Sequence, residues 1–310
     1  MSGDSGDRKK MSKTRITGIA LIMGTNVGYA LVPSLSFLAF DQGVETETLL
    51  FSKFFYAAVL MWAYIFIKKL PFRLEKKAAR MMILIGLAYI GIATTLYFAF
   101  DYISGSLATI VSFTFPAMIV AIEMITGKEK VRASRISAVI LSMIGLIFIV
   151  WSPDISANLI GILFALGTAI SYVVYMMGLA AECIKKSNTL VVAGYVLLMS
   201  TVFNFFRCLL SGKPLFTTGF NQLWLMLVLA VFCAFMAILF FCMGVKLIGP
   251  GNAAIINTFE PVLACFFGYT LVGDVLTRNM LIGSALVVLA VLIANWPSAA
   301  AREKSAADSS

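Results

Sequence analysis

The chain has 310 residues, of which 61% are hydrophobic and 13% charged, with a mean hydropathy of +0.96 and a formal net charge of +9. That balance excludes a water-soluble globular domain. The absence of histidine removes Ser-His and Cys-His nucleophile pairs, histidine-held metals and histidine proton relays.

A helix needs roughly 20 residues to cross about 30 Å of hydrocarbon. Ten apolar runs of that order predict an all-α membrane protein with ten transmembrane helices. A basic tail, residues 1–15, precedes the first run, Ile16–Phe40. This run exceeds the roughly 7 to 15 apolar residues of a secretory signal and is expected to stay as helix one. It carries Thr25, Tyr29 and Pro33 at i, i+4 and i+8, a stripe on one helical face. Glu47–Ile67 follows, with Lys53 roughly 9 Å from its outer end. Ala79–Phe100 brings Thr95 and Tyr97, and Ser106–Thr126 brings Thr109, Ser112, Pro116 and, near its end, Glu123, which is expected to face headgroups or a loop partner. Ser134–Trp151 presents Ser134, Ala138 and Ser142 as a surface for close packing.

The sixth run, Ala157–Ala181, carries a second stripe, Thr168, Tyr172 and Tyr175 at i, i+4 and i+7. Thr189–Leu210, which ends near Arg207, and Gln222–Met243 come next. Gly251–Val272 holds Asn257, Glu260 and Pro261, with Glu260 roughly 15 Å from the helix start and so near the bilayer midplane. Leu276–Trp296, with Gly283 and Ser284, closes the series before a tail at 297–310.

The two stripes belong to a repeat. Gly18-Ile19-x4-Gly24-Thr25-x3-Tyr29 returns 143 positions later as Gly161-Ile162-x4-Gly167-Thr168-x3-Tyr172. Ala108, Ile110 and Pro116 return as Ala253, Ile255 and Pro261 at an offset of 145. Two echoes in order predict two halves, 16–151 and 157–296, each of five helices. An odd number of crossings then inserts the second half from the opposite side. Of the 24 Lys and Arg residues, 20 fall on the side that holds both termini, which predicts that both ends are cytoplasmic. Charge dispersed over the loops of one membrane face argues against nucleic-acid binding. The cysteines, Cys183, Cys208, Cys233, Cys242 and Cys265, contain no C-x-x-C pair and read as small buried hydrophobes.

With the Lys53-Phe54 step, Asn257-Thr258-Phe259-Glu260-Pro261 and the following Gly273-Asp274, these repeated helices resemble the EamA-type proteins of the drug/metabolite transporter superfamily. The resemblance runs from about Thr17 to Trp296, and departs where Phe115-Pro116 stands in place of Glu-Pro. It implies an inner-membrane carrier with helices one to four and six to nine around a substrate cavity and helices five and ten outside them. It also implies export of a small polar or amino-acid-like solute by alternating access. A nucleotide-sugar or sugar-phosphate antiporter is the alternative within transport, and a channel or membrane sensor the alternative beyond it. The first would present several cavity cations, of which only Lys53 qualifies; the second would show a ring of charges or a filter.

Two readings stand for each candidate. Thr25, Tyr29, Thr95, Tyr97, Thr109, Ser112, Thr168, Tyr172, Tyr175 and Asn257 line a cavity or bond neighbouring helices. Glu260 couples the solute to protons or ties down backbone freed by Pro261. Lys53 faces the cavity as its partner or snorkels to the surface. Pro33, Pro116 and Pro261 act as hinges or static kinks. Lipid and a small solute are the expected partners, protons a candidate coupling ion, and neither cofactor nor metal is implied.

Overall fold

The computed structural model describes residues 3–100, 102–103, 105–126, 133–150, 158–273 and 277–295. These residues contain helices and no strands. In chain order the helices are α1 (Gly3–Asp41), α2 (Thr46–Ile67), α3 (Lys76–Phe100), α4 (Gly105–Ser112), α5 (Phe115–Thr126), α6 (Ala133–Val150) and α7 (Leu159–Leu179). There follow the single turn α8 (Glu182–Lys185), α9 (Thr189–Leu210), α10 (Phe220–Val228), the wide turn π1 (Leu229–Met236) and α11 (Ala237–Ile248). The chain ends in α12 (Pro250–Asn257), α13 (Glu260–Phe267), a second wide turn π2 (Gly268–Val272) and α14 (Arg278–Asn295). Among the described residues seven helical stretches are long and apolar enough to cross a membrane, and Phe115–Thr126, Ala133–Ile149 and Arg278–Ile293 are shorter apolar helices.

Two of the expected continuous helices are broken. The run Ser106–Thr126 divides at Phe113–Thr114 into α4 and α5, and Gly251–Val272 divides at Thr258–Phe259 into α12 and α13. Pro116 and Pro261 are the second residues of the helices that restart. Proline has no N–H to donate, and the first turn of a helix is where that loss costs nothing. At both breaks a threonine hydroxyl donates to the carbonyl three residues back, Thr114 to Val111 at 2.7 Å and Thr258 to Ile255 at 2.6 Å. A polar side chain thereby satisfies backbone that the tightened turn exposes. By contrast α1 runs unbroken through Pro33 and begins at Gly3, well before the expected Ile16.

Helix pairing follows the repeat. Helix α1 packs on α11 and its counterpart α7 packs on α3, while α2 pairs with α9 and α6 with α14. Exchanging the halves maps each of these pairs onto another or onto itself, as expected of the two-repeat architecture. The α6–α14 contact is close because Gly145 and Gly283 face one another, and a Cβ on Gly145 would stand 2.7 Å from the Gly283 carbonyl oxygen. Such small-residue approaches hold helices where lipid offers no hydrophobic driving force. The outer faces carry Ile83, Leu84 and Leu87 on α3, Ile140 and Ile144 on α6, and Leu289 and Leu292 on α14, all exposed. This apolar exterior is suited to acyl chains.

Candidate functional site

The break between α12 and α13 lies against a cluster of aromatic side chains. Asn257, fully buried as the last residue of α12, donates from Nδ2 to Glu260 Oε2 at 3.3 Å across the break. Glu260 interacts electrostatically with Tyr89 of α3 and Tyr172 of α7. The Tyr29, Tyr89, Tyr172 and Tyr175 hydroxyls and the Cys242 thiol are within electrostatic reach of one another. Ring contacts make the cluster continuous. Tyr175 stacks on Phe241 with centroids 5.4 Å apart, Tyr89 lies 5.2 Å from Tyr175, and Tyr29 lies 6.3 Å from Phe241. Tyr172 stacks on Phe115 at 4.6 Å.

Helices α1, α3, α7, α11 and α13 thus each contribute a polar or aromatic group to one region. On α1, Asn26 Nδ2 donates to the Ile256 carbonyl at 2.8 Å and so holds the end of α12 in place. The Asn26 and Asn257 Oδ1 atoms are buried without a protein hydrogen bond. Buried amide acceptors of this kind can receive a donor from a solute. Phe115 occupies the repeat position of Glu260, 145 residues earlier, and its ring covers Tyr172 where a carboxylate would otherwise stand.

The threonines and Ser112 knit helices together. Thr25 donates to the Ala237 carbonyl at 3.2 Å, where π1 passes into α11, and Thr168 meets Thr95 hydroxyl to hydroxyl at 2.8 Å between α7 and α3. Ser112 bonds Ala108 in its own helix at 2.7 Å and Ala165 of α7 at 3.4 Å. Thr109 is half-buried on α4 and Pro33 is exposed on α1. Pro116 and Pro261 are buried at the starts of α5 and α13. The side chain of Tyr97 lies outside the described residues.

Tyr89, Phe241 and Cys242 belong to the cluster but escaped the sequence reading. Tyr89 precedes Thr95 by six positions, which is about 240° around a helix, so the Thr95 face pointed away from it. Cys242 read as an apolar filler, whereas its Sγ lies 4.0 Å from the Tyr175 hydroxyl.

Charged groups fall into three arrangements. Lys53 does not snorkel: it is 6% exposed, and its ammonium lies 4.7 Å from the Phe54 ring centroid and interacts electrostatically with Cys233 in π1. Among the described residues no ion pair joins it to Glu260. Glu123, expected at headgroups or a loop, is instead 3% exposed; its Oε1 accepts from the Gly251 N–H at 2.9 Å, and its Oε2 pairs with Arg135 at 3.4 Å. This buried contact joins α5 and α6 of the first half to α12 of the second. At the start of α2, Glu47 pairs with Arg207 at 3.2 Å and the preceding Glu45 with Lys213 at 2.8 Å. The Glu45 carboxylate, accepting that hydrogen bond, holds the Lys213 ammonium pKa above the usual lysine value. Thr48 and Ser52 add bonds to the Pro214 and Leu215 carbonyls at 2.5 and 3.1 Å. Among the described residues no group of three or more His, Cys, Asp or Glu side chains could hold a metal ion.

The model of the EamA-like transporter family matches residues 16–151 and again 159–296. An uncharacterized transporter of Archaeoglobus fulgidus is 25% identical over 266 residues, covering 85% of this chain and 92% of the relative. The uncharacterized transporter YoaV of Bacillus subtilis is 21% identical over 278 residues, covering 86% and 94%. A solved crystal structure superposes with a TM-score of 0.74 over 91% of this chain and 97% of that one at 17% identity, a likeness of fold.

Proposed function

The chain belongs to the EamA-like transporter family, and from that premise we propose that it is a secondary carrier exporting a small polar or amino-acid-like solute by alternating access. The solute sits among Tyr29, Tyr89, Tyr172, Tyr175, Asn257 and Glu260. The two halves cross the membrane five times each in opposite directions, and both termini are cytoplasmic. Support for the orientation is the concentration of basic residues on one side. Support for alternating access is the pair of broken helices, since discontinuous helices at a repeat interface are where carriers place their solute.

One observation carries the reading: Glu260, an acid in the first turn of α13, hydrogen-bonds Asn257 Nδ2 and stands beside Tyr89 and Tyr172. Among the described residues its hydrogen bond goes to a side chain, not to backbone released by Pro261. An ionisable group at this depth is expensive and is kept where it serves transport. We assign it the role of exchanging a proton as the site turns from one face to the other.

Glu260→Gln keeps size and hydrogen bonding but cannot release a proton. In proteoliposomes the variant is expected to retain solute exchange while its uptake no longer responds to an imposed pH gradient. A gradient response equal to that of the parent would refute proton coupling at Glu260 and leave the carrier assignment standing.

A further inference from the structure

A buried ammonium without a counter-charge is a costly group inside a membrane protein and marks a functional site. Lys53 is such a group: it is 6% exposed in the second turn of α2, and among the described residues it forms neither an ion pair nor a hydrogen bond. The fold does supply an anion where a buried cation is structural, since Arg135, also 6% exposed, is held by Glu123 at 3.4 Å. Lys53 has instead the Phe54 ring at 4.7 Å and the Cys233 thiol in π1. One aromatic face recovers only part of the desolvation cost of an ammonium.

The surroundings are shaped in two further ways. Wide π turns occur mostly as local insertions and concentrate at functional sites. Here π1 lies against α2 and is tied at its end by Thr25, which donates to the Ala237 carbonyl at 3.2 Å. An aromatic wall also leads inward from Lys53, because Phe54 lies 6.1 Å from Tyr89, which in turn lies 5.2 Å from Tyr175. The ammonium is therefore at most about 11 Å from the Tyr89 centroid.

We propose that Lys53 binds the anionic group of the transported solute, and that this group is a carboxylate carried on a flat or apolar body lying along Phe54, Tyr89 and Tyr175. The inference rests on the carrier reading above and adds the charge of the solute. A carboxylate suits a single point charge. A phosphate, with up to two negative charges, would call for several donors.

The test uses the full chain in lipid nanodiscs and three matched probe pairs: benzoate with benzamide, phenylacetate with phenylacetamide, and hexanoate with hexanamide. Binding is read by calorimetry and by ligand-induced thermal shift. At least one carboxylate is expected to bind and its amide to bind about 10- to 100-fold more weakly, the range of a lost charge-assisted contact. Lys53→Met should show the same loss for the carboxylate, while Lys53→Arg, which keeps the charge, should lose less than Lys53→Met. The proposal is overturned if no carboxylate binds the parent, if the amides bind equally well, or if Lys53→Met binds the carboxylate like the parent. In proteoliposomes, gradient-driven flux of a neutral or cationic solute that Lys53→Met leaves intact would remove this proposal and keep the carrier. Carboxylate binding that Lys53→Met abolishes, with no flux of any solute in proteoliposomes, would remove the carrier reading and leave Lys53 as an anion site.

Discussion

At the scale of single residues, buried charge is handled in two opposite ways. Glu123 pairs with Arg135 and accepts from the Gly251 N–H, and a Cβ on Gly251 would push against both the carboxylate and the guanidinium. Gly251→Ala is therefore expected to destabilise the protein by about 1–3 kcal/mol through overpacking. Glu123→Gln, which removes the charge from this buried contact, should cost about 1–3 kcal/mol. Thermal unfolding in detergent checks both, and melting of Gly251→Ala at the parental temperature would contradict the contact. Among the described residues neither Lys53 nor Glu260 forms an ion pair. Of the eleven cavity candidates read from the sequence, the structure gathers Tyr29, Tyr172, Tyr175, Asn257 and Glu260 around Tyr89. It also puts Thr25, Thr95, Thr168 and Ser112 between helices. A threonine looks the same in sequence whether its hydroxyl meets a solute or a neighbouring carbonyl.

At the scale of elements, the breaks at Phe113–Thr114 and Thr258–Phe259 carry the repeat into the backbone. Proline signalled their neighbourhood, yet a kink and a full break differ only in how nearby side chains satisfy the freed backbone. The pairing of α6 with α14 depends on Gly145 and Gly283. Gly145→Leu should force these helices apart and cost about 1–3 kcal/mol, whereas Ile140→Leu on the exposed face of α6 should stay within about 0.5 kcal/mol. Equal melting temperatures for the two variants would show that the glycine contact contributes nothing.

At the scale of the whole molecule, the two halves are joined at both ends: by the buried Glu123–Arg135–Gly251 contact and, at the other end of the bundle, by Glu47–Arg207 and Glu45–Lys213. The second set is more exposed, and such pairs are worth little in water. If the proposed orientation holds, a thiol reagent confined to the outside will label Lys213→Cys in a variant stripped of its native cysteines. It will reach Lys76→Cys only after permeabilisation. Outside labelling of Lys76→Cys would overturn the orientation and with it the helix count.

The sequence by itself determined that this is an all-helical membrane protein of two related halves, because hydropathy and a repeated motif are properties of the chain that no packing has to supply. It also singled out Glu260 and Lys53, since a charge in an apolar run is conspicuous wherever the run ends up. Only the tertiary structure decided that Lys53 is buried, that Glu123 is a buried cross-half contact, and that Tyr89 and Cys242 join the tyrosines of α1 and α7. Those facts depend on which helix faces which, and helical periodicity gives a residue's direction around its own axis but not the neighbour it meets.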